Sequence, residues 1–475
     1  MGIREELTSF LSTLEIEWPE QIDDDTPLVS SGRFDSTALF NLTLWIEDQV
    51  GAPIDPASAN ISQAWDSPRL IIEFIEARRA GRRSLLGRAP LPRSRRRSDG
   101  LTIVRYSPEH ADAVARLQQI WSPHAELNRR YLAWKYENGP YSGEPLIYLA
   151  FDQSELVGMR GFYPSRWQVG ERPQFVEVLV ADDLIVRETH SNRGVVTSIM
   201  QAAFDDLLQG GVEYVFNLTG SRVTVLGSLA MGWQRVGHLN PLGRTTISHA
   251  MTTALRDRAA GLPWLWRHQF SPRLRTARER HPLAGLEPGD RFESRHGGVI
   301  TEVASEPRVK EMTALIARLP YDGRIRHVRD AEFLAWRYRN PLNDYRFFYA
   351  GSDTLRGYLV VKQSPFTFTS NARVQIVDYE AEDDRHLDAL LEAAIAMGSF
   401  PELVMWGATR SSSVLDTLAR HGFKPVDRHL AAHGCPCVLV RACDPLVPPD
   451  RWQLHGTPLL DLSRWDMRMI YTMAG

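Results

Sequence analysis

The chain has 475 residues, room for roughly three domains at about 150 residues each. Its 43% hydrophobic and 24% charged residues are ordinary for a globular protein, and a formal net charge of −3 argues against a chain built as a whole to neutralise nucleic acid. The opening MGIREELTSF lacks a signal-peptide pattern, no run approaches the roughly 18 apolar residues that cross a bilayer, and Cys435, Cys437 and Cys443 make neither a disulfide framework nor a closed zinc site. The expectation is a cytoplasmic protein with reduced thiols and no metal, membrane or nucleic-acid partner.

In chain order, Ile3, Leu7, Phe10 and Leu11 fall on one helix face. Leu39, Leu42, Ile46 and Val50 predict a second helix over 37–50, stopped by Gly51, and a third runs near Pro68 to Arg79. Residues 1–80 therefore read as a small acidic helical unit. The next stretch, GRRSLLGRAPLPRSRRRS, carries Arg82, Arg83, Arg88, Arg93, Arg95, Arg96 and Arg97 and no acid, so 81–100 reads as an exposed linker.

From 101 the pattern is mixed. LTIVRY, LIYLAF, ELVGMRGF, FVEVLVADDLIV and EYVFNL predict strands. PEHADAVARLQQIW and Gly194 to Leu208 predict helices packed on the sheet. A repeat is visible. YLAWKYENGP (131–140) resembles FLAWRYRNPL (333–342), each followed by a strand pair and then by FVEVLVADDL or ARVQIVDYEA; MGWQRVG (231–237) answers HGFKPVD (421–427). The expected units are 101–250 and 295–475, the latter including a tail from Pro445 with weak periodicity, joined by a connector at 251–294.

Residues 23–79 resemble acyl or peptidyl carrier proteins. The stretch DDDTPLVSSGRFDSTALFNLTLWIEDQVGAPI follows that family's loop, Gly, two residues, then Asp-Ser opening a helix. The resemblance implies a four-helix bundle in which Ser36 carries 4′-phosphopantetheine. The start of a helix suits the attached phosphate, because backbone N–H groups are free there and the helix dipole favours an anion. Thr37 stands where that family usually has leucine.

Residues 101–250 look like the GNAT superfamily of N-acyltransferases, carried by VADDLIVRETHSNRGVVTSIMQAAF. The pairing of two such folds resembles the FemABX-like aminoacyltransferases. The resemblance implies a fourth strand that offers a carbonyl-binding N–H and an acid, drawn here from Glu177, Asp182 and Asp183. By alternation Asp182 and Asp183 face opposite sides of the sheet, and Asp182 falls where relatives hold the base. Leu184 and Val186 would bond the pantetheine amides, Arg193 and Gly194 the phosphate, and Asn217 the arm. The signature survives at Gly194, while Val196 stands where close backbone approach is wanted. The usual tyrosine acid is replaced by Ser228, His190 reads as a loop histidine, and Trp134/Tyr136 and Trp336/Tyr338 read as packing on the sheet. Arg129, Arg130 and Lys135 are the candidate cations for an acidic substrate. In the second copy Glu380, Glu382, Asp383 and Asp384 stand where a pyrophosphate would sit.

The fold class expected is thus multidomain: an all-α four-helix carrier bundle followed by two mixed α/β GNAT-like domains. The expected function is transfer of an acyl or aminoacyl group from the arm on Ser36 to an amine of a small biosynthetic intermediate. The linker of about 20 residues spans about 25 Å and holds donor and enzyme together. Implied partners are a phosphopantetheinyl transferase, a discrete ligase that loads the carrier, and the amine acceptor; acyl-CoA is the alternative donor. The rival functions are decarboxylation or loading of a carrier-bound acyl group, and a non-catalytic carrier-docking scaffold.

Overall fold

A computed structural model describes residues 2–80, 100–246, 283–364, 373–426 and 436–472, apart from 15, 17, 19–21, 32–33, 35, 53, 55–63, 121, 142, 192, 220–221, 284, 296–297 and 399. The linker at 81–99, most of the 251–294 connector, Asp35, Cys435 and the side chain of Ser36 lie outside the described residues.

The first unit contains α1 (Ile3–Thr13), α2 (Ser36–Val50) and α3 (Pro68–Arg79). Ser67 caps α3 by accepting the Leu70 N–H at 3.4 Å, with Pro68 at the first helical position, where its missing N–H costs nothing. Leu7, Leu11, Leu39, Leu42, Ile46, Trp65, Ile71, Phe74 and Ile75 form its core. The described residues give three helices, and 55–63, between Ile54 and Ala64, falls outside them. One further member of this core comes from another unit: Leu226 of the first mixed domain is fully buried in it.

That domain runs β1 (Leu101–Arg105), α4 (Ala111–Leu117), α5 (Ala125–Leu132), β2 (Leu146–Asp152), β3 (Glu155–Val169), β4 (Gln174–Val186), α6 (Val195–Gln209), β5 (Tyr214–Thr219), α7 (Arg222–Ala230), β6 (Gln234–His238) and β7 (Pro241–Thr245). The next opens with an edge strand β8 (Arg291–Glu293), then β9 (Ile300–Ala304), α8 (Val309–Arg318), β10 (Ile325–His327), α9 (Ala331–Arg337), β11 (Asp344–Ala350), β12 (Gly357–Gln363), β13 (Arg373–Ala381), α10 (Asp384–Met397), β14 (Glu402–Trp406), α11 (Ser412–Arg420), β15 (Lys424–Pro425) and β16 (Cys437–Ala442). A small hairpin of β17 (Gln453–Leu454) and β18 (Thr457–Pro458) precedes β19 (Trp465–Asp466).

The two sheets share one strand order, β1-β2-β3-β4-β5-β16-β6 and β9-β11-β12-β13-β14-β7-β15; β8 is added at one edge of the second, and β10 and β19 join the first, β10 pairing with both β3 and β19. The repeat read from the sequence is therefore a repeat of topology. It departs from the expected boundaries where strands cross between the copies. β7, the last strand of the first copy, lies between β14 and β15 of the second, pairing Gly243 with Val404 and Lys424. β16, the last strand of the second, lies between β5 and β6 of the first, pairing Val438 with Leu218 and Gly237. Each copy completes the other's sheet. No period in PLGRT or CVLVRA tells which of two like sheets will take the strand, so the exchange is not readable locally.

The repeated motifs meet face to face. The Trp134 indole N–H donates to the Trp336 carbonyl at 2.9 Å, the Trp336 indole N–H to the Trp134 carbonyl at 2.7 Å, and the rings stack 4.6 Å apart at 8°. This reciprocity is that of a two-fold contact within one chain. The tryptophans expected to pack on the sheet instead pack on each other, inside an apolar cluster that draws on both copies.

Candidate active site

β4 and β5 run parallel for two residue pairs, Leu179 with Val215 and Val180 with Phe216. Beyond them β4 continues to Val186 on its pairing with β3 alone, so the edge facing β5 is open along 181–186. At the opening the ladder is bulged. Met159 faces Ile185 and Gly161 faces Asp182, so Arg160 alone stands opposite Asp183 and Leu184, one residue is extra on β4, and Asp183 takes a left-handed φ of 49°. A bulge breaks the period of two. The expectation that Asp182 and Asp183 point to opposite faces is thereby corrected: both carboxylates reach the same ammonium.

That ammonium is Lys135. Its side chain is fully buried, with Nζ 2.8 Å from Asp182 Oδ2, 3.0 Å from Asp183 Oδ2 and 2.9 Å from the Tyr131 hydroxyl. Tyr136 donates to Asp183 Oδ2 at 2.8 Å and Tyr131 to Oδ1 at 3.4 Å, while the Asp183 N–H donates to Asp182 Oδ1 at 2.9 Å. The local reason is a π-turn at 133–137, closed by the Asn138 N–H on the Ala133 carbonyl five residues back. In a regular helix Tyr136 would lie well round the cylinder from Tyr131; the wider turn brings both to the acids beside Lys135. Gly161 is required beneath them, because a Cβ there would lie 2.0 Å from the Tyr136 oxygen.

Burial pushes the Asp182 carboxyl up, but the Lys135 ammonium and the Asp183 N–H more than offset this and hold it below the usual range. Burial also pushes Asp183 up; Lys135 opposes, the Asp182 charge adds, and the net direction is upward. Burial lowers the lysine, and the two carboxylates overcome it, so Lys135 is held as an ammonium. The Asp182 side chain is 21% exposed and that of Asp183 is fully buried, so Asp182 is the acid that an incoming molecule can reach. Lys135 is consequently not a surface cation for an acidic substrate, and Arg129 is held by Glu137 at 3.1 Å.

The remaining predicted residues separate. Glu177 sits five residues before Asp182, about 17 Å along the strand. It is exposed and paired with Arg166 at 3.2 Å, so it does not join the centre. Leu184 and Val186 lie on the open edge of β4. Gly194, at φ 74°, precedes α6, and Arg193 beside it is exposed. Asn217 is buried on β5 with its amide 3.4 Å from the Ser228 hydroxyl of α7. His190 is tied to Asp152 at 3.1 Å and Thr189 at 2.9 Å, as a loop histidine. Cys437 and Cys443 are buried. Among the described residues no cluster of three or more His, Cys, Asp or Glu is placed to hold a metal, and no helix is long and apolar enough to cross a membrane.

The second copy repeats the acid but not its clamp. Val360 faces Asp378 as Gly161 faces Asp182. Asp378 is met by Arg329 at 2.7 Å and the Tyr358 hydroxyl at 2.8 Å, and Arg329 also bonds Glu380. At the start of α10 the Asp383 carboxylate caps the helix by accepting the His386 N–H at 2.9 Å, and Glu382 pairs with Arg318 at 2.9 Å. A carboxylate thus stands on the N–H groups that a phosphate would use.

Residues 102–235 match the model of a family described as an acetyltransferase (GNAT) domain. No curated protein matches the chain. Among solved structures it is similar to a probable N-acyltransferase from Enterococcus faecalis V583 (10% identity, 72% of this chain and 73% of that one, TM-score 0.45). It is also similar to a GCN5-related N-acetyltransferase from Anabaena variabilis (9%, 72% and 73%, 0.44) and to a tandem GNAT protein from the clavulanic acid biosynthesis pathway (13%, 73% and 99%, 0.44). Residues 102–235 are a GNAT acetyltransferase domain, and the protein is an enzyme of the acyltransferase class.

Proposed function

We propose that the protein is an N-acyltransferase whose donor is an acyl group on a phosphopantetheine arm carried by its own Ser36, and whose acceptor is an amine of a small biosynthetic intermediate. The observation that carries this reading is the packing of α2, the helix that Ser36 opens, against α7, with Leu226 buried in the core of the first unit. α7 follows β5, one of the two strands bounding the cleft. A carrier docked there delivers its arm in cis, without the adenosine pyrophosphate of CoA, which fits the partial signature at 191–196.

In this reading the arm lies along the open edge of β4 and its amides bond the backbone at Leu184 and Val186. A backbone N–H at the bulge polarises the thioester carbonyl. The amine attacks, the N–C bond forms, the C–S bond breaks, and Asp182 receives the amine proton, which then passes to the departing thiolate or to solvent. Lys135 and Asp183 keep Asp182 anionic and oriented. Ser228 is engaged by Asn217 and takes no part as an acid.

The experiment compares the full chain, acylated on Ser36, with a chain lacking residues 1–80 and supplied with the same acyl group on CoA. The expected result is turnover by the first and almost none by the second. Equal turnover would overturn the carrier reading and return acyl-CoA as donor.

A further inference from the structure

The second copy has the same kind of opening between its fourth and fifth strands: β13 and β14 pair from Arg373 to Gln375 and then separate. This opening is filled by the chain itself. Met467, Arg468 and Met469 line, with Ile376, Val377 and Tyr379 of β13, Met405 and Trp406 of β14 and Arg410, a space of about 210 Å³ that includes open solvent. The Arg468 guanidinium donates to the Tyr379 carbonyl on the separated stretch of β13 and pairs with Glu380 at 2.9 Å.

The segment begins as β19, with Trp465 and Asp466 paired to Ile325 and Arg326 of β10, and it is held along its length by side chains on its main-chain carbonyls. Arg324 donates to the Trp465 carbonyl at 3.1 Å, Arg410 to that of Met467 at 2.7 Å, and Arg337 to those of Ile470 at 2.9 Å and Thr472 at 2.7 Å. The first copy supplies the fifth contact, from the Tyr163 hydroxyl to the Tyr471 carbonyl at 3.3 Å. Tyr163 belongs to the surroundings of the acid centre, with Lys135 Nζ 5.5 Å from its ring.

Arg337 occupies the repeat position of Lys135, in FLAWRY against YLAWKY. In the first copy that side chain clamps the two acids. In the second, Arg329 and Arg468 meet the acids, and Arg337 instead grips the segment, with its guanidinium 6.0 Å from the Trp134 ring beside Lys135. We propose that residues 465–472 are a built-in peptide ligand of the second copy, filling its strand opening and, through Arg337, forming the acceptor-side wall of the Lys135–Asp182–Asp183 centre in the first. The second copy then acts in the reaction as a positioning half and not as a second catalyst. This inference rests on the reading of the first copy as the acyl-transferring one.

The test uses the full chain with an acetylated arm installed on Ser36 from acetyl-CoA by a broad phosphopantetheinyl transferase. Three forms are compared: native, Arg337→Lys, which keeps the buried charge and loses one grip, and a chain ending at Met469. Acetyl loss to water, in which the C–S bond is cleaved and acetate and the free thiol result, is followed by intact mass. Hydrogen exchange of residues 465–472 is followed in parallel. The expected native result is exchange as slow at 467–472 as in β13. In the variants, faster exchange over whichever of residues 467–472 each retains (467–469 in the shortened chain) should accompany acetyl loss accelerated about tenfold, the worth of one charge-assisted hydrogen bond. Free exchange of 467–472 in the native chain would overturn the proposal, even if neither variant folds. So would variants with native melting and unchanged acetyl loss. If Ser36 accepts no arm, the carrier reading has failed instead. S-acetyl-N-acetylcysteamine then replaces the loaded arm, and the same comparison of the three forms still decides on the wall.

Discussion

Replacing Lys135 by Met removes the ammonium between two carboxylates at 2.8 and 3.0 Å, Asp183 fully buried and Asp182 partly so. Breaking a buried pair by removing one partner costs about 3–5 kcal/mol, because the remaining charge loses its compensation. The cost has a definite pH dependence. Asp183 is already raised by burial, and without Lys135 it rises further, so the variant's native state binds a proton that its unfolded state, near the ordinary carboxylate value, does not. The variant therefore recovers stability as pH falls from 8 toward 5. The native protein behaves differently: the contribution of the lowered Asp182 is present above the unfolded carboxylate pKa and is lost as pH falls through its lower folded value. The contribution of Lys135 is present below the unfolded lysine pKa and is lost as pH rises through its higher folded value. The assay is urea unfolding of both forms at pH 5 and pH 8, followed by tryptophan fluorescence and far-ultraviolet dichroism. The expected result is a midpoint deficit in Lys135→Met that is large at pH 8, smaller at pH 5, and reduced at pH 8 by adding Asp183→Asn. An equal deficit at both pH values, untouched by Asp183→Asn, would refute the electrostatic account and leave only lost packing.

Three further outcomes follow from the geometry. Gly161→Ala places a methyl 2.0 Å from the Tyr136 oxygen, so it should lower the melting temperature and release the Tyr136 bond to Asp183, read as a tyrosine accessible to ultraviolet difference titration. Trp134→Phe keeps an aromatic ring but removes one donor and part of the stack, a loss of about 1–2 kcal/mol at the contact between the copies, measured as a fall in the urea midpoint. Leu226→Asp puts an unpaired carboxylate in the core shared by the first unit and α7. It should enlarge the radius of gyration by small-angle scattering and slow transfer from a loaded Ser36, while loading of Ser36 itself is unchanged.

The helices of the first unit, the succession of strands and helices, and the internal repeat were legible because each rests on local periodicity. The place of Asp182 on the fourth strand was legible. Its clamp was not. Period-two reasoning puts Asp183 on the far face, and only the bulge at φ 49° reverses that. Lys135 was visible as a residue of the repeat but not as a partner of Asp182, because a π-turn obeys no 3.6-residue pattern and the two lie 47 residues apart. The exchange of β7 and β16 and the role of 465–472 depend on contacts such as Arg337 with Ile470, 133 residues apart, for which the sequence carries no local signal. Comparing YLAWKY with FLAWRY as a difference, and not only as a likeness, was the available hint: lysine and arginine at one repeat position bind different partners.

The proposed donor stands or falls with a phosphopantetheine arm on Ser36. Its most direct test is the intact mass of the full chain after incubation with CoA and a broad phosphopantetheinyl transferase, beside a Ser36→Ala control. A mass gain equal to one phosphopantetheine arm is expected in the native chain and none in the control. No gain in either, or the same gain in both, would contradict it; the first unit would then be a docking module on α7 and free acyl-CoA the donor.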